Sequence, residues 1–357
     1  MATDVTGMTR INHEKLIRFV SRSFEKLGVP RSDAEIAANV LVASDLRGVD
    51  THGVIRFNPN AWYVKWLRDG AMTAKPNIRV VTETASTALL DADNGMGMVA
   101  GHRAMELAIK KAKEAGVGIV TVRNSRHYGM SAYYSMLALP HDLIGIAMTN
   151  ASRQVVPTFG REARFGTNPI CFAVPAKDEK PFVLDMATTT AAAGKLELAI
   201  RLGNPVPTGW ALNEKAEPTT DPKVAQQARR LLPLGGSRES GSHKGYGLGI
   251  LVEILCGVLT GTVTALNANQ EPRGHFFGAI NPAAFRPAAD FKDDMDRLIR
   301  ALKSTPPVEG ESRVYVAGEI EFETAEERAE RGIPLHGSVL KGLRAVSEQV
   351  GVPYDLE

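Results

Sequence analysis

The chain has 357 residues, and its 44% hydrophobic and 23% charged side chains are typical of globular domains, which argues against a disordered protein. Its 42 basic and 40 acidic side chains leave a net charge of +2, so it lacks the positive field that attracts nucleic acids, and no such partner is expected. Two cysteines lie in apolar runs and the first residues lack the layout of a signal peptide, so we expect a cytoplasmic protein.

The beginning of the chain is predicted to be helical. Apolar residues recur at helical spacing in residues 10–45, in two runs that end at Gly28 and Gly48. Residues 49–70 predict a further helix that Asp50 or Thr51 caps and Pro59 interrupts.

From about residue 77 the pattern changes to strand, helix and strand, the size of a βαβ unit. Within it, LLDADNGMGMVAGHRAME places glycines at 95, 97 and 101 between a strand and a helix. A dinucleotide fingerprint requires G-x-G-x-x-G, but this spacing is one residue longer, and Asp91 and Asp93 lie where a phosphate needs positive potential. We therefore interpret the stretch as a turn that permits close packing, and not as a phosphate site.

Short apolar runs in residues 143–151, 168–175 and 180–189 predict a sheet with short connections, and residues 190–203, 290–304 and 337–351 predict helices. Residues 246–266 are apolar over a length that could cross a bilayer. Glu253 near the middle and several glycines favour a buried helix of a soluble protein, so no membrane partner is expected.

His52 and Arg56 are candidate functional residues. Their four-residue spacing places both side chains on one face of a predicted helical first turn, where the helix dipole would lower the pKa of the imidazole. Arg47, at the end of the preceding helix, could bind a carboxylate through a bidentate pair of hydrogen bonds. A surface network of ion pairs explains these three residues about equally well.

His127 lies in a polar loop that follows a buried strand, a usual position for functional side chains in α/β proteins. A histidine that merely bonds to the backbone is the simpler explanation for this residue taken alone. The chain has no spacing of histidines, cysteines or carboxylates typical of a metal site, so no metal is expected.

Two further segments could bind an anion. A buried strand ends at Asp185, and threonines 188–190 follow it before an alanine-rich helix, where backbone N–H groups and hydroxyls could contact phosphate. A simple threonine N-cap is the alternative there. Lys244 lies in a glycine-rich turn before residues 246–266 and could meet a second anion.

Six segments, taken in chain order, resemble the malate/L-lactate dehydrogenase family: DLRGVDTHGVIRF, VRNSRHYGMSAYY, FGTNPICFAVP, FVLDMATTTAAAGK, GWALNEKAEPTTDP and HKGYGLGILVEILCGVLTG. The resemblance implies a homodimeric enzyme that interconverts a small 2-oxo acid and a 2-hydroxy acid, malate-like or lactate-like, by hydride transfer with NAD or NADP and a histidine acid/base. Reduction of a cyclic imino acid of the piperideine-2-carboxylate type is the alternative. A non-catalytic small-molecule binding protein on the same fold is an alternative of another class.

The resemblance also implies a mixed, non-Rossmann α/β fold. It predicts a helical domain with His52 (1–76 with 326–357), an α/β domain (77–124 with 277–325) and a mostly antiparallel NAD(P)-binding sheet domain (125–276). By matching motif positions, the expected catalytic residues are His52 and His127, and the expected substrate contacts are Arg47, Arg56 and Thr167. The expected cofactor contacts are Asp185, Met186, Ala187, Thr188, Thr189, His243, Lys244, Gly318 and Glu319.

Overall fold

The computed structural model describes residues 8–264, 266 and 273–356. Residues 1–7, on which the expectation about a signal peptide depends, lie outside the described residues. The helices are α1 (His13–Lys26), α2 (Arg31–Leu46), α3 (Trp62–Arg68), α4 (Gly97–Ala115), α5 (Ser131–Met136), α6 (Ala193–Leu202), α7 (Pro222–Ala228), α8 (Ser242–Val252), α9 (Ala288–Lys303), α10 (Glu319–Arg331) and α11 (Gly337–Val350). The strands are β1 (Met8–Ile11), β2 (Phe57–Asn58), β3 (Arg79–Glu83), β4 (Thr87–Asp91), β5 (Val117–Ser125), β6 (Ile144–Thr149), β7 (Ile170–Val174), β8 (Phe182–Met186), β9 (Ala211–Leu212), β10 (Pro218–Thr219), β11 (Arg273–Ile280) and β12 (Ile333–His336).

A seven-stranded sheet forms the centre of this mixed α/β fold. Its strand order is β3-β4-β5-β11-β6-β7-β8. The pair β4/β5 is parallel and the other neighbouring strands are antiparallel, so α4 is the crossover of a βαβ unit. The predicted boundary between residues 276 and 277 falls within β11, and the division into domains stays a prediction.

Small residues let two helices lie close against this sheet. A Cβ on Gly118 of β5 would lie 2.0 Å from the carbonyl oxygen of Ala108 in α4. A Cβ on Gly145 of β6 would lie 1.9 Å from the carbonyl oxygen of Ser135 in α5. Both strands therefore need glycine where the helix backbone approaches.

The two ends of the chain are joined by pairing of strands and packing of helices. β1 pairs antiparallel with β12, with Ile11 opposite Ile333. Leu16 and Phe19 of α1 and Leu343 of α11 share one buried core with residues of α2 and α4. The helices near both termini thus pack into the same hydrophobic core as the central sheet.

Most of the elements predicted from the pattern are confirmed. The first two helices, the βαβ unit, strands β6 to β8, and helices α6, α9 and α11 lie where the sequence indicates them. Gly28 and Gly48 follow α1 and α2 with φ angles of +90° and +75°, as expected of glycines that end helices.

The central strand β11 was not predicted. It is buried along most of its length, and Gly274 and Gly278 interrupt its pattern of side chains. A Cβ on Gly274 would lie 1.8 Å from the carbonyl oxygen of Cys256. The glycine that weakens the strand signal is thus required by tertiary packing.

The apolar segment 246–266 is not the continuous buried helix that was predicted. Residue 265 of this segment lies outside the described residues. α8 begins earlier, at Ser242, and continues after Val252 as a turn of π-helix over Glu253–Val258. One side of it is buried, but Leu251, Ile254 and Val258 are 45 to 57% exposed. None of the helices in the described ranges has the length and apolar character needed to span a membrane.

Candidate active site

A buried carboxylate shapes the turn that carries His52. Asp45 of α2 is 1% exposed, and its Oδ2 accepts a hydrogen bond from the backbone N–H of Val54 at 2.8 Å. A Cβ on Gly53 would lie 1.9 Å from Oδ1 of the same carboxylate, so the turn needs glycine there. The chain forms two 3₁₀ turns, Asp50–His52 and Val54–Arg56, where the helix before Pro59 was predicted, and α3 begins after this proline, at Trp62.

His52 and His127 face each other in the folded chain. Their ring centroids are 5.8 Å apart and the ring planes differ by 18°. Burial and the charge of Arg56 lower the pKa of His52 to about 4. Burial, together with the charges of His52 and Arg273, lowers the pKa of His127 well below its ordinary value. Both rings are therefore neutral near pH 7, and burial, not the predicted helix dipole, is the main cause.

Side chains of α3 and the backbone after His127 hold its ring. Its Nδ1 lies 2.5 Å from the hydroxyl oxygen of Tyr63 and accepts a hydrogen bond from the backbone N–H of Gly129 at 3.3 Å. The ring of Trp62 packs edge-on against the imidazole, with centroids 4.9 Å apart. Tyr63 is fully buried, and burial raises its pKa, so the phenol stays protonated.

Arg56 places a guanidinium beside the histidine pair. Its Nε donates to the carbonyl oxygen of Thr51 at 2.7 Å, and its Cζ lies 4.7 Å from the ring centroid of Trp62. Its Nη1 lies 3.4 Å from Oε1 of Glu197 in α6. A Cβ on Gly194 of α6 would lie 2.5 Å from Cγ2 of Thr51, so α6 packs directly on the turn that carries His52.

Arg47 and Asp185 form a second charged group. Arg47 is 6% exposed and its Cζ lies 4.5 Å from the ring centroid of Phe322, but its buried Nε has no hydrogen-bond partner among the described residues. Oδ2 of Asp185 accepts a hydrogen bond from the backbone N–H of Ala132 at 2.8 Å. The residue is exposed, but protein atoms displace water from around its carboxyl group, and this desolvation raises the pKa of the carboxyl to about 6. Burial lowers the pKa of Arg47, and the charge of Asp185 opposes that effect.

The predicted contacts around the end of β8 are Thr167, Met186, Ala187, Thr188 and Thr189. The backbone N–H and the hydroxyl of Thr188 donate to the carbonyl oxygen of Thr167 at 2.9 and 3.1 Å. The hydroxyl of Thr189 donates to the carbonyl oxygen of Ala191 at 2.8 Å. These two hydroxyls are engaged within the protein, contrary to the expectation that they are free for phosphate. The threonine N-cap is wrong as well, because α6 starts at Ala193 without a side-chain cap.

His243 and Lys244 lie on the first turn of α8, not in a turn before the helix. Both are exposed, and Nδ1 of His243 lies 3.1 Å from Nη1 of Arg238. α8 packs against the segment after β8, since a Cβ on Gly249 would lie 3.0 Å from Oγ1 of Thr188. The structure therefore joins these two predicted cofactor segments through direct packing.

Gly318 and Glu319 lie at the N-terminus of α10, against β8. Gly318 has a φ of +92°, and a Cβ on it would lie 2.8 Å from Cβ of Val183. Glu319 is 7% exposed, and its Oε1 pairs with Nζ of Lys303 at 2.8 Å. Packing against β8 explains why residue 318 is a glycine, and the carboxylate of Glu319 is engaged in the ion pair with Lys303.

Close packing also accounts for the glycines at 95, 97 and 101. A Cβ on Gly97 would lie 2.0 Å from the carbonyl oxygen of Arg126, and one on Gly101 would lie 2.9 Å from ring atoms of Phe277 and Tyr134. The carboxylate of Asp91 is paired with Arg79 and Arg123 of the neighbouring strands. These contacts fit the interpretation of the stretch as architecture.

Sequence reasoning missed three residues of this site: Tyr63, Glu197 and Arg273. Tyr63 belongs to an aromatic run that is typical of a helix packed into a core, and Glu197 lies in an ordinary amphipathic helix. Arg273 is 7% exposed at the start of the strand that was not predicted. None of the three had a motif around it, because contacts between distant segments bring them to the histidines.

Known proteins resemble the chain over nearly its full length. The family model described as malate/L-lactate dehydrogenase matches residues 11–344. A malate dehydrogenase of Pyrococcus horikoshii is 44% identical over 349 residues, with 96% of each chain covered. An L-sulfolactate dehydrogenase of Methanocaldococcus jannaschii is 40% identical over 347 residues, again with 96% of each chain covered.

A solved structure has the same fold. The crystal structure of malate dehydrogenase from Entamoeba histolytica superposes with a TM-score of 0.94 and 35% sequence identity, and the match covers 98% of this chain and 100% of that one. Together with the family model and the two relatives, this shows that the chain belongs to the malate/L-lactate dehydrogenase family, a family of oxidoreductases that act on 2-hydroxy acids.

Proposed function

We propose that this enzyme interconverts a malate-like 2-hydroxy acid and its 2-oxo acid, with a preference for substrates that carry a second acidic group. The observation that carries the proposal is the histidine pair, 5.8 Å between centroids, with the guanidinium of Arg56 beside it. Two similar relatives are named for malate and sulfolactate, each of which has two acidic groups.

The arginines supply the charge that such a substrate needs. Arg56 is fixed by Thr51 and Trp62, so its guanidinium loses little freedom when it binds a carboxylate. Arg47 brings a buried guanidinium whose Nε has no hydrogen-bond partner in the described part of the chain, and a second acidic group could satisfy it. Thr167 is proposed as a further substrate contact.

Within the histidine pair, we assign proton transfer to His52. A bound carboxylate stabilises an imidazolium nearby, so substrate binding should raise the low pKa of His52 and promote proton uptake. The protonated ring can then give its proton to the oxygen of the substrate carbonyl. The same ring, once neutral, can take the proton back when the hydroxy acid is oxidised.

A nicotinamide dinucleotide, when bound, supplies or accepts the hydride. The residues at the predicted positions have suitable chemistry. The carboxylate of Asp185 reaches solvent and can accept a hydrogen bond from a ribose hydroxyl or an amide, and Met186 and Ala187 are half-buried beside it. Exposed His243 and Lys244 can face phosphates, while Thr188, Thr189, Gly318 and Glu319 would contribute backbone and shape. Both NAD and NADP are compatible with this set.

We place the cofactor at the antiparallel end of the sheet, β6 to β8, and not on a Rossmann unit. The parallel pair of the described seven-stranded sheet, β4/β5, carries the glycine turn that packing explains. This placement corresponds to the proposed cofactor domain of residues 125–276, next to the helical domain (1–76 with 326–357) and the α/β domain (77–124 with 277–325).

We also propose that the enzyme is a homodimer. Leu251, Ile254 and Val258 follow helical spacing on α8 and its continuation, and each is about half exposed. An exposed apolar stripe of this kind is typical of a surface that another subunit covers.

The function is tested by mixing the enzyme with NADH or NADPH and following the absorbance of the reduced nicotinamide. The panel contains oxaloacetate, sulfopyruvate, pyruvate, 2-oxoglutarate and piperideine-2-carboxylate. We expect kcat/KM for oxaloacetate or sulfopyruvate to exceed that for pyruvate by about tenfold or more, because loss of a charged hydrogen bond costs about 1.5–3 kcal/mol. The highest value for piperideine-2-carboxylate would support the imino acid alternative, and cofactor binding without any turnover would support a non-catalytic protein.

A further inference from the structure

Two donors point at one nitrogen of His127. The backbone N–H of Gly129 donates to Nδ1 at 3.3 Å, a long hydrogen bond that only weakly favours a lone pair without hydrogen on this nitrogen. The hydroxyl of Tyr63 lies 2.5 Å from the same nitrogen. Because the buried phenol stays protonated, it donates its hydrogen to Nδ1 as well. In the neutral ring the hydrogen must then be on Nε2.

This tautomer limits what His127 can do. A neutral ring with its hydrogen on Nε2 can donate a hydrogen bond to a substrate oxygen, but it has no free lone pair to accept a proton from a hydroxyl. Its protonated form is disfavoured by burial and by the charges of His52 and Arg273. His127 is therefore suited to polarise a carbonyl as a neutral donor.

His52 is not restricted in this way. Among the described residues, the hydrogen-bond partner of its Nδ1 is the hydroxyl of Thr51, at 3.0 Å. A hydroxyl can rotate to donate or accept, so the ring can hold its hydrogen on either nitrogen and can gain or lose a proton.

We propose that Tyr63 is a positioning residue that fixes His127 as a hydrogen-bond donor through Nε2, and that His52 carries the proton that moves to and from the substrate. This assignment rests on the proposed function. In the reduction, the carbonyl carbon would gain the hydride that a bound reduced nicotinamide supplies, and the electron pair of the carbonyl π bond would move to oxygen. The oxygen then takes the proton from the imidazolium of His52, and the electrons of the broken N–H bond stay on the ring. His127 keeps its own hydrogen throughout.

The tautomer can be measured without substrate or cofactor. Nitrogen-15 shifts of the histidine rings, assigned through the signals lost in His127→Gln, distinguish a ring nitrogen that carries hydrogen from one that does not. We expect the hydrogen of His127 to be on Nε2 at neutral pH. A hydrogen on Nδ1 in the wild-type protein would overturn the proposal, even if Tyr63→Phe failed to fold.

Tyr63→Phe should let His127 populate the other tautomer and lower kcat by about tenfold, the size of effect expected from the loss of one hydrogen bond. The matched control is Tyr133→Phe, which removes a phenol 3.3 Å from Nδ1 of His102, away from the histidine pair, and should change neither kcat nor the His127 signals. A Tyr63→Phe enzyme with an unchanged tautomer and unchanged kcat would contradict the positioning role.

The roles of the two histidines separate in a pair of glutamine variants. The amide of His127→Gln can still donate a hydrogen bond, so we expect a loss of about tenfold or less in kcat. His52→Gln removes the proton carrier and should lose about 10²–10⁴-fold. The reverse order would overturn the assignment. If no 2-oxo acid is reduced at all, the proposed function fails, while the tautomer measurement still decides whether Tyr63 holds His127 in this form.

Discussion

Glu197 forms an ion pair with Arg56, and we expect this pair to weaken the binding of an anionic substrate. The two side chains are 3.4 Å apart and are 14% and 31% exposed. Removing the carboxylate leaves the guanidinium with a greater net positive field. In Glu197→Gln we expect KM for an anionic 2-oxo acid to fall about two- to fivefold, as partly exposed pairs contribute up to about 1 kcal/mol. Steady-state kinetics at low salt measure this.

Glu35→Gln is the control, because Glu35 pairs with Arg31 on an exposed helix surface at 2.9 Å. It should leave KM unchanged. An unchanged KM in Glu197→Gln would show that Arg56 does not meet the substrate.

Lys244 is a second residue with a testable contact. If its ammonium meets a cofactor phosphate, Lys244→Ala should raise KM for cofactor about tenfold or more, with a smaller change in KM for substrate. Lys215→Ala, on an exposed loop, is the control. Equal changes in both constants would argue against a phosphate contact.

For single residues, the sequence indicated which side chains are candidates for the site better than it indicated what those side chains contact. Local context made His52, His127, Arg47 and Arg56 candidates, and the family resemblance assigned them roles that stay predictions. Tyr63, which holds His127, was not a candidate, because a tyrosine in an aromatic helix has no signal that separates packing from a hydrogen bond across 64 residues.

At the scale of elements, α4 presses against the loop that carries His127. A Cβ on Gly97 would lie 2.0 Å from the carbonyl oxygen of Arg126 and 2.8 Å from that of His127. Gly97→Ala should cost about 1–3 kcal/mol of unfolding free energy, the usual penalty of overpacking, and should lower kcat by moving His127. Denaturant unfolding and kinetics measure the two effects.

Gly342→Ala is the matched control, since its Cβ would meet Asn58 at 3.6 Å, an ordinary contact, in the interior of α11. We expect it to gain up to about 1 kcal/mol. Equal stabilities of the two variants would show that the backbone adjusts at Gly97.

His275 joins three strands and makes stability depend on pH. Its Nδ1 lies 2.7 Å from Oγ1 of Thr149 and its Nε2 lies 2.8 Å from Oγ of Ser125. Burial lowers its pKa to about 3, so the unfolded chain takes up the proton first. The contribution of His275 to the free energy of unfolding is therefore fully present above about pH 6.5 and decreases as the pH falls toward 3, by about 2 kcal/mol at pH 5. The lowered pKa values of His52 and His127 add to the decrease.

Urea unfolding at pH 7.5 and pH 5 measures the decrease, which His275→Gln should reduce and His141→Gln, at an exposed site, should not. A wild-type slope retained in His275→Gln would assign the pH dependence to other groups.

Helices and strands with clear periodicity were predictable because each such pattern reports one buried face. The turn at His52 and strand β11 were not. In both, a glycine is required by an atom of another element, the carboxylate of Asp45 in α2 in one case and the carbonyl of Cys256 in the π-helical turn after α8 in the other.

At the scale of the whole molecule, the half-exposed apolar side chains of α8 and its continuation predict association. Covering the exposed half of a side chain of this size contributes about 0.8–1.5 kcal/mol. The wild-type protein should sediment as a dimer, and Ile254→Glu should shift it toward monomer because a charge would be buried in the interface.

Leu298→Glu tests whether any exposed apolar side chain gives the same result, since Leu298 of α9 is 53% exposed. It should remain dimeric. A monomeric wild-type protein, or an Ile254→Glu protein that stays dimeric, would refute this interface.

The sequence by itself determined the class of protein, most of its helices and strands, and the family, since composition, periodicity and short motifs are local properties of the chain. Only the tertiary structure decided which contacts these candidate residues make. It brings His52, Tyr63 and His127 together and pairs Arg56 with Glu197. It also shows that the hydroxyls of Thr188 and Thr189, expected to be free for phosphate, donate to backbone carbonyl groups. The reason is physical: the pKa of a group and the partner of a hydrogen bond depend on what surrounds it in space, and that is set by packing between segments far apart in the chain.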